Sequence, residues 1–162
     1  MEPQPLENIM RMHKILVAVD GSISSKNMTK YAAHLAAVKN ALVILLHVHH
    51  RVPMTIGGEA AQQVRKALAE ESARLLAGFV AIVEAENARC VPMTREGKAA
   101  NVIIQVQEEE DCDLIALGSR GLTALEGLVV GSTTAAVLHR AACPVLVTRN
   151  LRKKYLDNPF FE

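Results

Sequence analysis

Short apolar runs alternate with longer amphipathic segments along this chain. The runs lie at 14–20 (KILVAVD), 41–48 (ALVILLHV), 89–96 (RCVPMTRE), 113–118 (DLIALG) and 143–149 (CPVLVTR). Nearly continuous apolar runs rich in β-branched residues are typical of strands buried on both faces, as in a parallel sheet. The third run is weaker because it contains Pro92, which predicts a position at the edge of the sheet or at a bulge.

The segments between these runs have the periodicity of helices. Helices are predicted over 25–39, about 59–85, 97–109 and 132–142, with Ser24 or Ser25 as the cap of the first. The resulting order is βαβαβαβαβ. It predicts a single α/β domain, an open parallel five-stranded sheet with helices on both faces, because right-handed crossovers place the helices there. Residues 1–12 are expected to be a flexible leader, 13–150 the domain, and 151–162 an appended tail.

The composition is that of an ordinary globular domain. The 162 residues are 50% hydrophobic and 22% charged, with a formal net charge of +1 and only 3% aromatic residues. This balance supplies neither the basic surface nor the stacking platforms of a nucleic-acid-binding protein. No apolar run reaches membrane-spanning length, and the first residues lack the pattern of a signal peptide. We therefore expect a cytoplasmic protein with no membrane span and no nucleic-acid partner.

The three cysteines and six histidines offer little reactive chemistry. Three cysteines without CxxC spacing are expected to be reduced thiols, and the acidic neighbours of Cys112 should raise its pKa. His47 and His49 share one face of a strand, but no Cys, Asp or Glu follows closely enough to complete a metal site. With His50, they are expected at a strand end. His34 is expected at an ordinary helix or surface position.

A glycine-rich segment, GSRGLTALEGLVVGST, occupies 118–133. Gly118 and Gly121 permit turns whose amide groups point toward one anion, and the missing Cβ of Gly118 allows positive φ and close backbone approach. Gly131 and Ser132 stand where a helix should begin, so the helix N-terminus and the Ser132 or Thr133 hydroxyl can also face an anion. A glycine turn and a helix N-terminus that both bind anions suit a ligand with several phosphates. The segment has no lysine and is therefore not a Walker A loop. Arg120 either neutralises phosphate or pairs with solvent or a neighbour.

The spacing G-x2-G-x9-G-[ST] resembles the nucleotide loop of the ATP-binding universal stress proteins (UspA-like). The resemblance covers about residues 13–149 and includes the motifs KILVAVDGS, LLHV, TREGKAANVI, DCDLIALGSRG and CPVLVTR. It implies the strand order 3-2-1-4-5 and a Rossmann-like fold that binds adenine nucleotide. It also implies a homodimer in which the last strands, Val145 to Thr148, pair across the interface.

The same resemblance assigns individual residues to the nucleotide. It places Asp20, with Gly21 beside it, near the ribose and adenine, and it places the backbone of Val48 against the adenine. The residues assigned to the ribose and phosphates are Gly118, Gly121, Gly131, Ser132 and Thr133, with Arg120 added for its charge. The implied ligand is ATP, with Mg²⁺ as an optional companion that Asp20 or Ser132 would contact. No catalytic residue is assigned.

Three functions stay open at this point. The first is a dimeric stress-response sensor that binds ATP and hydrolyses it slowly at most, because the loop lacks the cation that efficient phosphoryl transfer needs. In this hypothesis ATP orders the loops at 49–58 and 119–130, and a protein partner binds the changed surface. The second is a slow ATPase or self-phosphorylating enzyme, with Ser132 or Thr133 as the acceptor. The third is an interaction module that works without nucleotide.

Overall fold

The structure is a computed structural model that describes residues 12–119 and 130–157. Strands and helices alternate along these residues in the predicted order. The elements are β1 (Lys14–Val19), α1 (Ile23–Lys39), β2 (Leu42–His49), α2 (Gly58–Ala85), β3 (Arg89–Glu96), α3 (Ala99–Glu109), β4 (Leu114–Gly118), α4 (Ser132–Arg140) and β5 (Val145–Thr148), followed by a short 3-10 helix (Lys153–Tyr155). Within the two described ranges, no helix combines the length and the apolar character needed to cross a bilayer.

The five strands form one parallel sheet in the order β3-β2-β1-β4-β5. This confirms both the predicted parallel sheet and the strand order that the resemblance implied. Pro92 lies in β3, where its register partner is Leu45 of β2, and β3 is an edge strand as predicted. An edge tolerates proline because the missing N–H faces away from the ladder.

Alternate residues of each central strand enter two separate cores. Ile15, Val17 and Leu45 pack beneath α1 and α2, whereas Leu16 and Ile115 pack beneath α3 and α4. All five side chains have no accessible surface. The strands are buried on both faces, which explains why their sequences are continuous apolar runs rather than alternating ones.

The start of α1 differs from the prediction. Ser22 is the cap: its Oγ accepts a hydrogen bond from the backbone N–H of Ser25 at 3.1 Å. The predicted caps, Ser24 and Ser25, are both inside the helix, and the Ser25 hydroxyl donates back to the Ser22 carbonyl at 2.9 Å. The helix therefore begins at Ile23, two residues before the predicted start.

Candidate functional site

The carboxyl ends of β1, β2 and β4 meet at one edge of the sheet. Val19 is in register with His47, and Val17 with Ala116. Continued along parallel strands, these registers place Asp20 level with Val48 on one side and with Ser119 on the other. The strand order reverses on either side of β1, and in open α/β sheets ligands bind at such a reversal.

The turn after β1 holds Asp20 in a defined position. Its Oδ1 accepts a hydrogen bond from the backbone N–H of Ser22 at 3.0 Å, and the side chain is half-buried. Gly21 has φ of +82°, and a Cβ there would lie 3.3 Å from Cδ1 of Leu75. A positive φ favours glycine, so this position fixes the turn that carries the carboxylate.

Gly118 shows one of the two properties predicted for it. It is the last residue of β4 and its φ is not in the left-handed region, so the glycine serves the predicted close backbone approach and not a positive φ. A Cβ on Gly118 would overlap the Ser24 hydroxyl and lie 2.9 Å from the backbone carbon of Ser24. The glycine lets the first turn of α1 pack directly on the end of β4.

Hydrogen bonds join the end of β4 to the beginning of α4. The Gly131 N–H donates to the Ser119 carbonyl at 2.7 Å, and the Thr134 hydroxyl donates to the Gly118 carbonyl at 3.0 Å. They bring together the two ends of the segment 120–129. That segment, including the predicted site residues Arg120 and Gly121, lies outside the described residues. Sequence reasoning missed Thr134; a threonine in the first turn after the glycine pair was the available signal.

The first turn of α4 presents its amide groups at this edge of the sheet. Gly131 is the N-cap, with φ of −68° and ψ of 158°, and the cap has no side-chain hydrogen bond. Ser132 is therefore the first helical residue rather than the cap, and its side chain is exposed, while Thr133 is half-buried. The first N–H groups of a helix lack intrahelical acceptors, so this turn can donate hydrogen bonds to an anion.

His47 connects β2 to α2 beside the candidate site. Its Nδ1 lies 3.0 Å from Oγ of Ser72, which is fully buried. Burial lowers the pKa of His47, and the neighbouring His49 lowers it further, while Glu71 and Asp20 act in the opposite direction. The buried contact and the lowered pKa together favour a neutral imidazole at this position. Within residues 12–119 and 130–157, no three His, Cys, Asp or Glu side chains form a group that could hold a metal ion.

The pKa of Cys112 is raised, as predicted, but mainly by burial and not by its acidic neighbours. Burial raises the pKa of Cys112 to about 11; Glu110 and Asp113 add smaller upward effects and Lys14 opposes them. Burial also raises the pKa of Cys90 and of Cys143. None of the three is in a disulfide. Protonated, partly buried thiols are poor nucleophiles, which agrees with a packing role.

A family model described as the Universal stress protein family matches residues 12–149. The chain belongs to the universal stress protein family. A relative from Thermus aquaticus, named as a universal stress protein in the QAH/OAS sulfhydrylase 3′ region, is 32% identical over 137 residues, 83% of this chain and 97% of its own length. A universal stress protein of Methanocaldococcus jannaschii is 30% identical over 150 residues, 91% of this chain and 87% of its own length.

Solved structures of other proteins share the fold. The hypothetical protein MJ0577 superimposes with a TM-score of 0.79 at 26% identity, covering 89% of this chain and all (100%) of its own. A universal stress protein from Archaeoglobus fulgidus, solved in complex with dAMP, has a TM-score of 0.61 at 21% identity, covering 86% of this chain and 100% of its own. A family member from Arabidopsis thaliana with AMP bound has a TM-score of 0.62 at 23% identity, covering 83% and 90%.

Proposed function

We propose that this universal stress protein binds an adenine nucleotide, ATP in particular, at the carboxyl ends of β1, β2 and β4. The observation that carries the proposal is the junction of β4 with α4. The 2.7 Å bond from the Gly131 N–H to the Ser119 carbonyl fixes the first turn of α4 beside the strand end that is level with Asp20. The helix N-terminus suits the phosphates of a nucleotide, and the carboxylate at the same edge of the sheet suits its ribose.

Each group at this edge has a proposed partner on the nucleotide. The Asp20 carboxylate accepts from a ribose hydroxyl, as carboxylates do in dinucleotide-binding folds. The backbone of Val48, one residue from the end of β2, faces the adenine. The amides at the start of α4 and the hydroxyls of Ser132 and Thr133 bind the phosphates. The structures with bound dAMP and AMP support the adenine class, since their folds match this one.

The proposed role is to hold the nucleotide rather than to cleave it quickly. Residues 130–134, VGSTT, contribute no lysine or arginine to offset charge on the leaving phosphates. Oxygen atoms of Asp20 and Ser132 suit a Mg²⁺ ion that accompanies ATP. We infer a switch in which ATP orders the loops at 49–58 and 119–130 and a protein partner binds the changed surface. The reduced cysteines agree with action in the cytoplasm.

We further propose a homodimer through β5. This strand is an edge of the sheet, and Val145, Leu146 and Val147 are only half-buried in one chain. The opposite edge, β3, carries Pro92 and charged residues, which are features that discourage strand pairing. The apolar β5 lacks these protections, so it is the edge better suited to pair with a second copy.

An isosteric pair of variants tests the nucleotide site. Asp20→Asn keeps an oxygen acceptor for the Ser22 N–H and removes only the charge. We expect it to weaken ATP binding by roughly tenfold or more, because a charge-assisted hydrogen bond is lost. Asp111→Asn is the matched control: it removes the same charge from an exposed residue that precedes the amino end of β4. Calorimetric titration that finds both variants equal to the wild type would remove Asp20 from the site.

A slow enzyme is the second candidate, and one observation favours it. Ser132 is exposed and its hydroxyl does not cap α4, so it is available next to the proposed phosphate position. Phosphate release measured at steady state separates the two functions. Turnover that disappears in Ser132→Ala, with ATP affinity retained, would favour the enzyme over the switch.

A further inference from the structure

The residues that follow β5 lie along the outer surface of α1. We call residues 151–157 the strap. Ile23, in the first turn of α1, lines a cavity of about 190 Å³ together with Leu151 at the start of the strap. About two helical turns further along, Nζ of Lys30 lies 3.6 Å from Oδ1 of Asp157 at the end of the strap. The strap and this side of α1 therefore form one continuous surface.

Positive charge is concentrated on this surface. Lys26 lies one turn from both Ile23 and Lys30, so it shares their side of α1. The strap adds three consecutive cations, and two acids lie among them. The full set, which we call the basic face, is Lys26, Lys30, Arg152, Lys153 and Lys154 with Glu86 and Asp157. Its formal charge is +3, from five cations and two acids, whereas the whole chain has +1.

Three of the five cations are open to an external anion. Both acids of the basic face already contact Lys30, at 3.6 Å and 3.9 Å. Lys26, Arg152 and Lys154 are exposed and form no ion pair with the described part of the chain. These three side chains are therefore available to a negatively charged partner.

Apolar side chains protrude from the same surface. Ile23 is 77% exposed, and Tyr155, whose ring centroid lies 4.8 Å from Nζ of Lys154, is 40% exposed. In the sequence, two of the chain's three phenylalanines, Phe160 and Phe161, follow the strap. Cations around protruding apolar and aromatic side chains are typical of surfaces that bind at the interface of an anionic membrane. A nucleic acid would contact the cations and leave Ile23 in water.

We propose that the basic face is a peripheral docking surface for bilayers of anionic lipids. The headgroups supply the negative charge that Lys26, Arg152 and Lys154 lack within the described chain, and Ile23 enters the boundary between headgroups and acyl chains. The contact of Lys30 with Asp157 holds the cations of the strap beside α1. Docking of this kind needs no membrane-spanning helix. It goes beyond the proposed nucleotide binding and requires no nucleotide.

Co-sedimentation of the full chain with lipid vesicles, without nucleotide, tests the proposal. We expect binding to vesicles of equal parts phosphatidylglycerol and phosphatidylcholine, and no binding to phosphatidylcholine alone. Arg152→Gln combined with Lys154→Gln should weaken the binding roughly 25-fold, since each cation near an anionic surface contributes about fivefold. Both substitutions leave the contact of Lys30 with Asp157 in place, so the strap should stay on α1.

A second double variant is the matched control. Arg65→Gln combined with Lys66→Gln removes the same charge from exposed residues of α2, far from the Glu86 end of that helix. It should bind the anionic vesicles as the wild type does. Equal binding by the two double variants would overturn the proposal, because the location of the cations would then not matter.

Ile23→Ser separates a lipid surface from other anionic partners. It keeps every charge, and we expect it to weaken vesicle binding severalfold because an apolar side chain no longer enters the interface. The proposal is overturned if the anionic vesicles do not sediment the wild type. It is also overturned if Ile23→Ser binds the vesicles as the wild type does, since the basic face would then attract any polyanion, a nucleic acid included, through charge alone.

Discussion

Replacing Gly118 with alanine should destabilise the protein although it adds only one methyl group. The new Cβ would lie 2.9 Å from the backbone carbon of Ser24 and 3.0 Å from its Cβ, and it would overlap the Ser24 hydroxyl. A rotamer change can move the hydroxyl but not the backbone, so the first turn of α1 must shift away from β4. Such overpacking costs typically about 1–3 kcal/mol.

Part of this cost is offset. Alanine is favoured over glycine inside a strand by roughly 0.5–1 kcal/mol, because glycine loses more backbone freedom on folding. The middle of these ranges gives a net loss of roughly 1 kcal/mol in the free energy of unfolding, and their extremes give at most about 2.5 kcal/mol. For a chain of this size, a loss of about 1 kcal/mol lowers the melting temperature by roughly 2–4 °C.

Urea denaturation without nucleotide measures the effect, and Gly78→Ala is the matched control. Gly78 is an exposed residue of α2, and a Cβ there would meet nothing within 4 Å. The control should gain about 0.5–1 kcal/mol from helix propensity. Ser24→Ala combined with Gly118→Ala should recover part of the loss, because the hydroxyl contact is gone and the backbone contact stays. If Gly118→Ala is as stable as the wild type, or shifts as Gly78→Ala does, the close-packing explanation is refuted.

Two further predictions concern pH and assembly. The pKa of His47 is lowered in the folded protein, so the unfolded chain binds the proton more readily than the folded one. The free energy of unfolding should therefore decrease as pH falls below the ordinary histidine pKa of 6.5. Denaturation at several pH values checks this, and His47→Asn should reduce the dependence of the free energy of unfolding on pH. If the variant keeps the wild-type dependence, His47 is not its cause. The Pro144 carbonyl accepts from Ile115 of β4, and the Thr148 carbonyl accepts from Ser119 just after β4. Because successive residues of a strand point to opposite sides, the Val147 N–H points toward the open edge. Val147→Pro should therefore yield monomers by light scattering with the fold retained, whereas persistent dimers would exclude pairing through β5.

The fold was predictable because its signals are local. The apolar runs of β1 and β2 specify buried strands, and the order of elements then restricts the sheet to a parallel arrangement. Helical periodicity was less informative about burial. Val64 and Phe79 are both apolar positions of α2, yet Val64 is 36% exposed, while Phe79 further along the helix is buried. Periodicity identifies one face of a helix but does not reveal where along its length the partner ends.

The candidate site was predictable in position but not in its contacts. Asp20 follows β1 and Val48 lies near the end of the adjacent parallel strand β2, so both had to lie at one edge of the sheet. The reason for Gly118 depends on Ser24, far away in sequence. His34, expected at an ordinary helix or surface position, is buried with its ring nitrogens 3.2 Å from Oε2 of Glu86 and 3.3 Å from the Leu156 carbonyl oxygen. No pattern in a single sequence pairs such distant residues.

Amide chemical-shift mapping with ATP and Mg²⁺ reports both whether the nucleotide binds and where it binds. We expect saturable shifts that cluster at Asp20, Val48, Ser119 and the first turn of α4, reproduced by AMP for the residues near the base and weaker with GTP. Absence of shifts at millimolar ATP, or a cluster elsewhere on the chain, would contradict the proposal that this edge of the sheet is an adenine-nucleotide site.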